Sequence, residues 1–319
     1  MKKGLLIAAG ILMVVGVVIF IAVLAASGFH ISNLGTAKYE TNTHTIEESI
    51  QKIELSTDTA DIAFKLAEGE ACQVVCVEEE KVKHAVSVEK GTIKIKTVDT
   101  RKWYEHLTFY SKPTSVTLYL PRKDYEAVSV KGTTGDVSVP KDFSFGSISI
   151  EVSTGDVCCE ASASGLVSIA SDTGDIKMNG VNASEVNLVV TTGHITLNSI
   201  HCEGNMSIKV DTGKSVLTDV TAENFTTEGD TGKIALRNVV VSKFIDIKRD
   251  TGDVTFDKSD AAEIKVRTTT GDVTGTLNSQ KVFFTQTSTG KIRVPKTTSG
   301  GKCEITTDTG DIEIDVIGE

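Results

Sequence analysis

The chain has 319 residues, a net charge of −10, 39% apolar residues and only 5% aromatics. The acidic balance speaks against a nucleic-acid binder, which needs a basic face to neutralise phosphates. The Val, Ile and Thr content favours strands, and a chain this long exceeds one ordinary core unless it grows by repetition.

Met1-Lys2-Lys3-Gly4 precedes an uncharged run of 22 residues, Leu5 to Ala26. As a helix that run measures about 33 Å, enough to cross a bilayer core. Lys2 and Lys3 lie before it, and no Lys or Arg follows until Lys38. The positive-inside rule then holds the N-terminus in the cytoplasm and exports the remainder. Residues 1–28 are thus expected to be a single-pass membrane anchor, with the body of the protein extracytoplasmic. The rival is a cleaved signal peptide ending near Ala25-Ala26-Ser27, although the run exceeds the usual apolar region of about 7–15 residues. Residues 29–45, polar and aperiodic, read as a linker.

Residues 46–130 are strand-like but irregular and are expected to cap the structure that follows. Within them, Ser56-Thr57-Asp58-Thr59-Ala60-Asp61-Ile62 resembles a decayed copy of a later turn, with Ala60 where Gly stands elsewhere. Gly91–Ile95 and Val116–Leu120 alternate as strands do. An aromatic insertion over 99–113 holds Trp103, Tyr104, His106, Phe109 and Tyr110. Such a cluster serves either as a partner contact or as a plug for the end of an apolar stack.

From residue 131 to 319 the pattern becomes regular. Thr-Gly recurs ten times, at Gly135, Gly155, Gly174, Gly193, Gly213, Gly232, Gly252, Gly271, Gly290 and Gly310, with spacings of 19 or 20 residues. A fixed period with a fixed turn signal marks a solenoid. Apolar columns stand two and four residues after each Gly (Val137 and Val139, Ile176 and Met178, Ile234 and Leu236) and five before it (Ile150, Ile169, Leu188). Spacings of two mean strands with one face buried. The expected fold is all-β: a single-stack parallel β-helix with coils of 19–20 residues, preceded by one N-terminal transmembrane helix. Gly at each corner tolerates positive φ, and Asp or Thr two residues earlier can fix the turn.

Asp-Thr-Gly occurs five times, at Asp172, Asp211, Asp230, Asp250 and Asp308, a tripeptide that aspartic proteases also use. Here it alternates in register with Thr-Thr-Gly and Ser-Thr-Gly, an interchange that a turn tolerates and a carboxylate dyad does not. The residue after each Gly forms a second ladder, in which Asp136, Asp156 and Asp175 offer oxygens that Ca²⁺ could use. His194, Lys214, Lys233 and Lys291 interrupt it, which favours a solvated edge of mixed sign. The six cysteines include no CxxC pair, so they read as small apolar fillers rather than zinc ligands. No catalytic residue, cofactor site or metal site is expected.

An N-terminal membrane segment, a Trp-bearing insertion, and Val-Thr-Leu-Tyr-Leu-Pro leading into serial Thr-Gly-Asp-Val coils resemble the bacterial β-strand-repeat family of putative adhesins of unknown function. The resemblance spans roughly residues 46–319 and implies a β-solenoid at the cell envelope, with links to envelope stress in some relatives. It carries over no catalytic residue. The expected function is non-enzymatic binding of an envelope polymer or surface protein; the alternative is a polysaccharide-cleaving parallel β-helix. The chain stops nine residues after Gly310, so the last coil is expected to be an open end prone to self-association.

Overall fold

A computed structural model describes residues 2–26, 28–29, 37–103 and 112–317. Residues Lys2–Ala26 form one helix. Its segment Ile7–Ala26 is long and apolar enough to cross a membrane by length and composition. No helix-breaking Pro interrupts it, and Leu12, Val15, Ile19 and Phe20 expose apolar surface all round. A helix apolar on every side is one that buries itself in a larger core or in lipid.

The rest of the described chain is a β-solenoid of about ten turns. Coils stack through parallel pairing in constant register: Ile150 pairs with Ile169, Ile169 with Leu188, and Leu188 with Ile208. Parallel neighbours lie about 4.8 Å apart. Since residues i and i+2 share a face, each coil sends the same columns inward. Val137, Val157, Ile176 and Ile195 are fully buried, as are Val139, Cys159, Met178 and Leu197. One continuous apolar core runs the length of the stack.

Each middle coil has a second corner, six residues after the Thr-Gly glycine. Gly180, Ser199, Asp219, Asn238 and Lys258 occupy it, all with φ between 49° and 67°. This left-handed conformation suits Gly, Asn and Asp and strains a long side chain. The next residues, Val181, Ile200, Val220 and Val239, turn inward and form a short third face.

Chain order and stacking order part at both ends. Gly301–Thr309 pairs on one side with Val254–Thr270 and on the other with Lys281–Thr289. Ile312–Val316 likewise lies between Val273–Leu277 and Ile292–Arg293. The last coil is therefore interior, and the Gly290 coil ends the stack. This corrects the expectation of an open final coil. The reason lies in composition. The Gly290 coil has Thr285 where all but one of the other coils have Ile, Val or Leu, and its second strand is only two residues long, ending before Pro295. Ile314 is buried whereas Ile292, in the column two residues after Gly, is 46% exposed. A short edge strand bearing Lys and Pro is a usual protection against further pairing. Arg293 pairs with Glu313 of the neighbouring coil, and a buried Lys281–Asp260 ion pair (2.6 Å) clamps the terminal coil down.

At the other end Lys52–Thr59 pairs with Asp124–Thr134 on one side and Thr92–Asp99 on the other. Ala60 stacks under Gly135, donating its amide to Thr134 O at 3.0 Å, so the decayed turn does occupy a corner. Beyond it the pairing becomes antiparallel among Tyr39–Ile46, Cys72–Glu79, Val82–Glu89 and Thr92–Asp99. Residues 39–46, expected as linker, thus form a strand. Its polar sequence, Tyr-Glu-Thr-Asn-Thr-His-Thr-Ile, hides the pairing because only Ile46 is buried.

Candidate functional site

The Thr-Gly corners form the longest uniform surface of the solenoid. Each glycine has φ between 135° and 155°, and a Cβ there would lie 1.7–2.2 Å from a backbone oxygen of the adjoining coil. Gly is therefore required both by conformation and by stacking distance. Its amide donates to the Thr carbonyl of the next coil, as from Gly155 to Thr173 O at 2.9 Å.

The residue after Gly has a structural task that sequence reading missed. Asp136 Oδ1 accepts the amide of Asp156 at 2.8 Å, Asp156 Oδ1 that of Asp175 at 2.8 Å, and Asp175 Oδ1 that of His194 at 2.9 Å. His194 Nδ1 in turn accepts the amide of Lys214 at 3.1 Å. The acids thus cap a corner amide of the following coil, which is why an imidazole can replace one. Lys291 sits in the coil that ends the stack, where no further amide follows. Lys214 and Lys233 have no acceptor atom, so the corner amides that follow them go without this cap. Each of these carboxylates commits one oxygen to its neighbour, and Lys177 lies 3.8 Å from both Asp156 and Asp175. Lys233 bonds Asp253 and holds that carboxyl below its usual value. The positions expected to fix the turn, two before Gly, face solvent.

The threonine before each Gly is different. Thr59, Thr134, Thr154, Thr173, Thr192 and Thr212 pair in direct register. The series continues through Thr231, Thr251, Thr270, Thr309 and Thr289. All eleven are exposed. Their backbone carbonyls serve the stack, but among the described residues their hydroxyls make no hydrogen bond. The result is an unbroken row of hydroxyl and methyl groups at a pitch of about 4.8 Å. Corner geometry requires Gly; it does not require this hydroxyl. The signal was present in the sequence as a Thr that never varies.

Of the aromatic insertion, Trp103 is 80% exposed, so its indole does not plug the core. Tyr104, His106, Phe109 and Tyr110 lie outside the described residues. A cleft of about 540 Å³ beside the cap is lined by Glu47, Glu48, Glu70, Arg122, Lys123 and Tyr125 among others. The cysteines are all free, and only Cys158 is exposed. Burial pushes the thiols of Cys159 and Cys303 up to about 12.

Stacked parallel coils, Thr-Gly corners and an antiparallel N-terminal cap define a repeat-built β-solenoid. The family model described as Toastrack DUF4097 matches residues 50–205 and 201–319, and the chain belongs to that family. No curated protein matches it. Among solved structures it is similar to a putative adhesin from Bacteroides fragilis NCTC 9343, with 12% identity, a TM-score of 0.43 and coverage of 87% of this chain and 97% of that one. A putative adhesin from Parabacteroides distasonis ATCC 8503 shares 10% identity, with a TM-score of 0.44 over 88% and 98%. A putative lipid binding protein from the same organism shares 13% identity, with a TM-score of 0.35 over 88% and 98%.

Proposed function

We propose that this protein is a non-enzymatic, membrane-anchored binding rod that presents its threonine ladder outside the cytoplasm to a repetitive cell-envelope polymer. The ladder of eleven exposed, in-register threonines is the observation that carries the reading. Each hydroxyl both donates and accepts, and each methyl offers a small apolar contact. A saccharide chain presents the same mixture at regular intervals. Contacts that are weak singly then gain strength from being linked along one ligand. The helix over Ile7–Ala26 fits an anchor, with Lys2 and Lys3 on its cytoplasmic side. Adhesion and envelope-stress sensing would both use such a surface.

The test is incubation of the full-length protein, in detergent, with immobilised envelope polysaccharides, measuring retention and newly released reducing ends together. Retention without new ends is the expected result. Release of saccharide products would establish the polysaccharide-cleaving alternative, and failure to be retained on any polymer would sink the binding reading.

A further inference from the structure

The two strands of the Gly290 coil close the stack differently. The second, Ile292–Arg293, is short and ends before Pro295. The first, Lys281–Thr289, is nine residues long and, among the described residues, pairs on one side only, with Gly301–Thr309. From Val282 to Gly290 it has no charge and no Pro, so the residues that usually blunt a sheet edge are missing from it. The side chains behind this edge are also incompletely covered. Cys303, Ile305 and Thr307 of the neighbouring coil are buried, whereas their partners Phe283, Thr285 and Thr287 are half-buried. Phe284, on the outer face, is 54% exposed. One more strand along the edge would cover the first three as each interior coil covers its neighbour.

The charge around the edge fixes what such a strand should carry. The chain has 43 acids, yet none lies between Asp272 and Glu304. Of the bases there, Lys281, Arg293 and Lys302 are taken up by Asp260, Glu313 and Glu304. Lys291 and Lys296 are exposed and in no ion pair among the described residues. Asp311, beside Lys291, commits an oxygen to the Lys291 amide. The two lysines stand at opposite ends of the edge. Lys291 follows the corner after Thr289. Lys296 precedes Thr297, whose hydroxyl donates to the carbonyl of Lys281 at the start of the strand. Nine extended residues separate those ends by about 27 Å.

We propose that the Gly290 end of the rod is a docking edge for an extended segment of a partner protein, which adds to Lys281–Thr289 as one further strand and carries acids at both ends. Main-chain hydrogen bonds supply the affinity in this mode, and the flanking ion pairs select the partner and its register. A second copy of the same edge is a poor match. Antiparallel pairing of Lys281–Thr289 with itself would set Lys291 of one chain beside Lys296 of the other, like against like. The edge works independently of the threonine hydroxyls along the corners.

The experiment titrates full-length protein in detergent into a fluorescent peptide of alternating Val and Thr with two Glu at each end, read by anisotropy. Binding is expected, and the same peptide with Lys in place of Glu should bind about 10-fold or more weakly. Lys291→Glu with Lys296→Glu should reverse that preference while leaving the thermal midpoint unmoved, since both side chains are exposed. N-methylation of alternate peptide residues should abolish binding in one register and spare it in the other, because an added strand uses one of its two edges. No binding of the acidic peptide would overturn the proposal. So would an unchanged preference in the double variant, or equal tolerance of both N-methylated peptides. A dimer of the protein alone that excludes the peptide would give the edge to a second copy and overturn it as well.

Discussion

Substituting Gly213 by Ala tests the stacking account at one atom. Gly213 has φ 146°, and a Cβ on it would lie 1.7 Å from the carbonyl oxygen of Gly193. An ordinary contact is longer by about 2 Å, and the obstacle is backbone, which cannot rotate away. Relief requires the two coils to part at that corner. Three bonds cross there: Gly193 N to Thr212 O (3.0 Å), Ile195 N to Lys214 O (2.9 Å) and Lys214 N to His194 Nδ1 (3.1 Å). At roughly 1 kcal/mol each, with a further 1–3 kcal/mol or so for an alanine held at this φ, the loss comes to about 4–6 kcal/mol. Coils of a solenoid contact only their neighbours, so the damage falls on one interface and uncouples the two halves. Urea unfolding of the full-length protein, followed by circular dichroism, should show an early transition that the unsubstituted protein lacks. Ala60→Gly is the control: Ala60 does not share the positive φ, and its replacement should cost less than about 1 kcal/mol. A single transition shifted by under about 1 kcal/mol for Gly213→Ala would refute the reasoning.

Three more outcomes are expected. Arg249 is 3% exposed. Its Nη1 crosses Gly229 to reach Val210 O at 2.5 Å, while Nε and Nη2 are buried without partners among the described residues. Arg249→Met removes the buried, poorly matched charge and should raise the thermal midpoint, by an amount equivalent to about 1–2 kcal/mol; a fall would show that the guanidinium is better satisfied than this geometry implies. Lys258 holds φ 49° at the second corner, where Gly180 stands in an earlier coil, so Lys258→Gly should stabilise by about 0.5–1 kcal/mol in denaturant titration. Cys158 is the one exposed thiol among six free cysteines. It alone should react quickly with a membrane-impermeant maleimide on spheroplasts, all six reacting only after unfolding; no labelling before lysis would contradict an exported body.

Much of this architecture was legible because a solenoid repeats its instructions. The column at Val137, Val157 and Ile176 repeats in all coils but the one with Ser215, and Ala60 could be recognised as a corner without its glycine. Stacking order was not legible, since every coil carries a similar pattern and could pair with any other. Thr285 in an apolar column and Pro295 beside a strand do not single out the Gly290 coil, since Thr227 and Pro140 hold the same positions in interior coils. The second corner was hidden because its residues (Gly180, Ser199, Asp219, Asn238, Lys258) share a conformation and not a residue type. The corner acids looked like surface decoration until their oxygens were found on the amides of the next coil.

The most direct test of the binding account removes hydroxyls without disturbing the stack. Thr173→Val, Thr192→Val and Thr212→Val together keep three adjacent residues β-branched and close to the same size, but delete their hydroxyls. Those hydroxyls make no hydrogen bond among the described residues, so the thermal midpoint should not move. Retention of the full-length protein on an envelope polysaccharide that holds the unsubstituted protein should fall at least 10-fold, as linked contacts are lost together. Undiminished retention of the triple variant would contradict the claim that the threonine ladder is the binding surface.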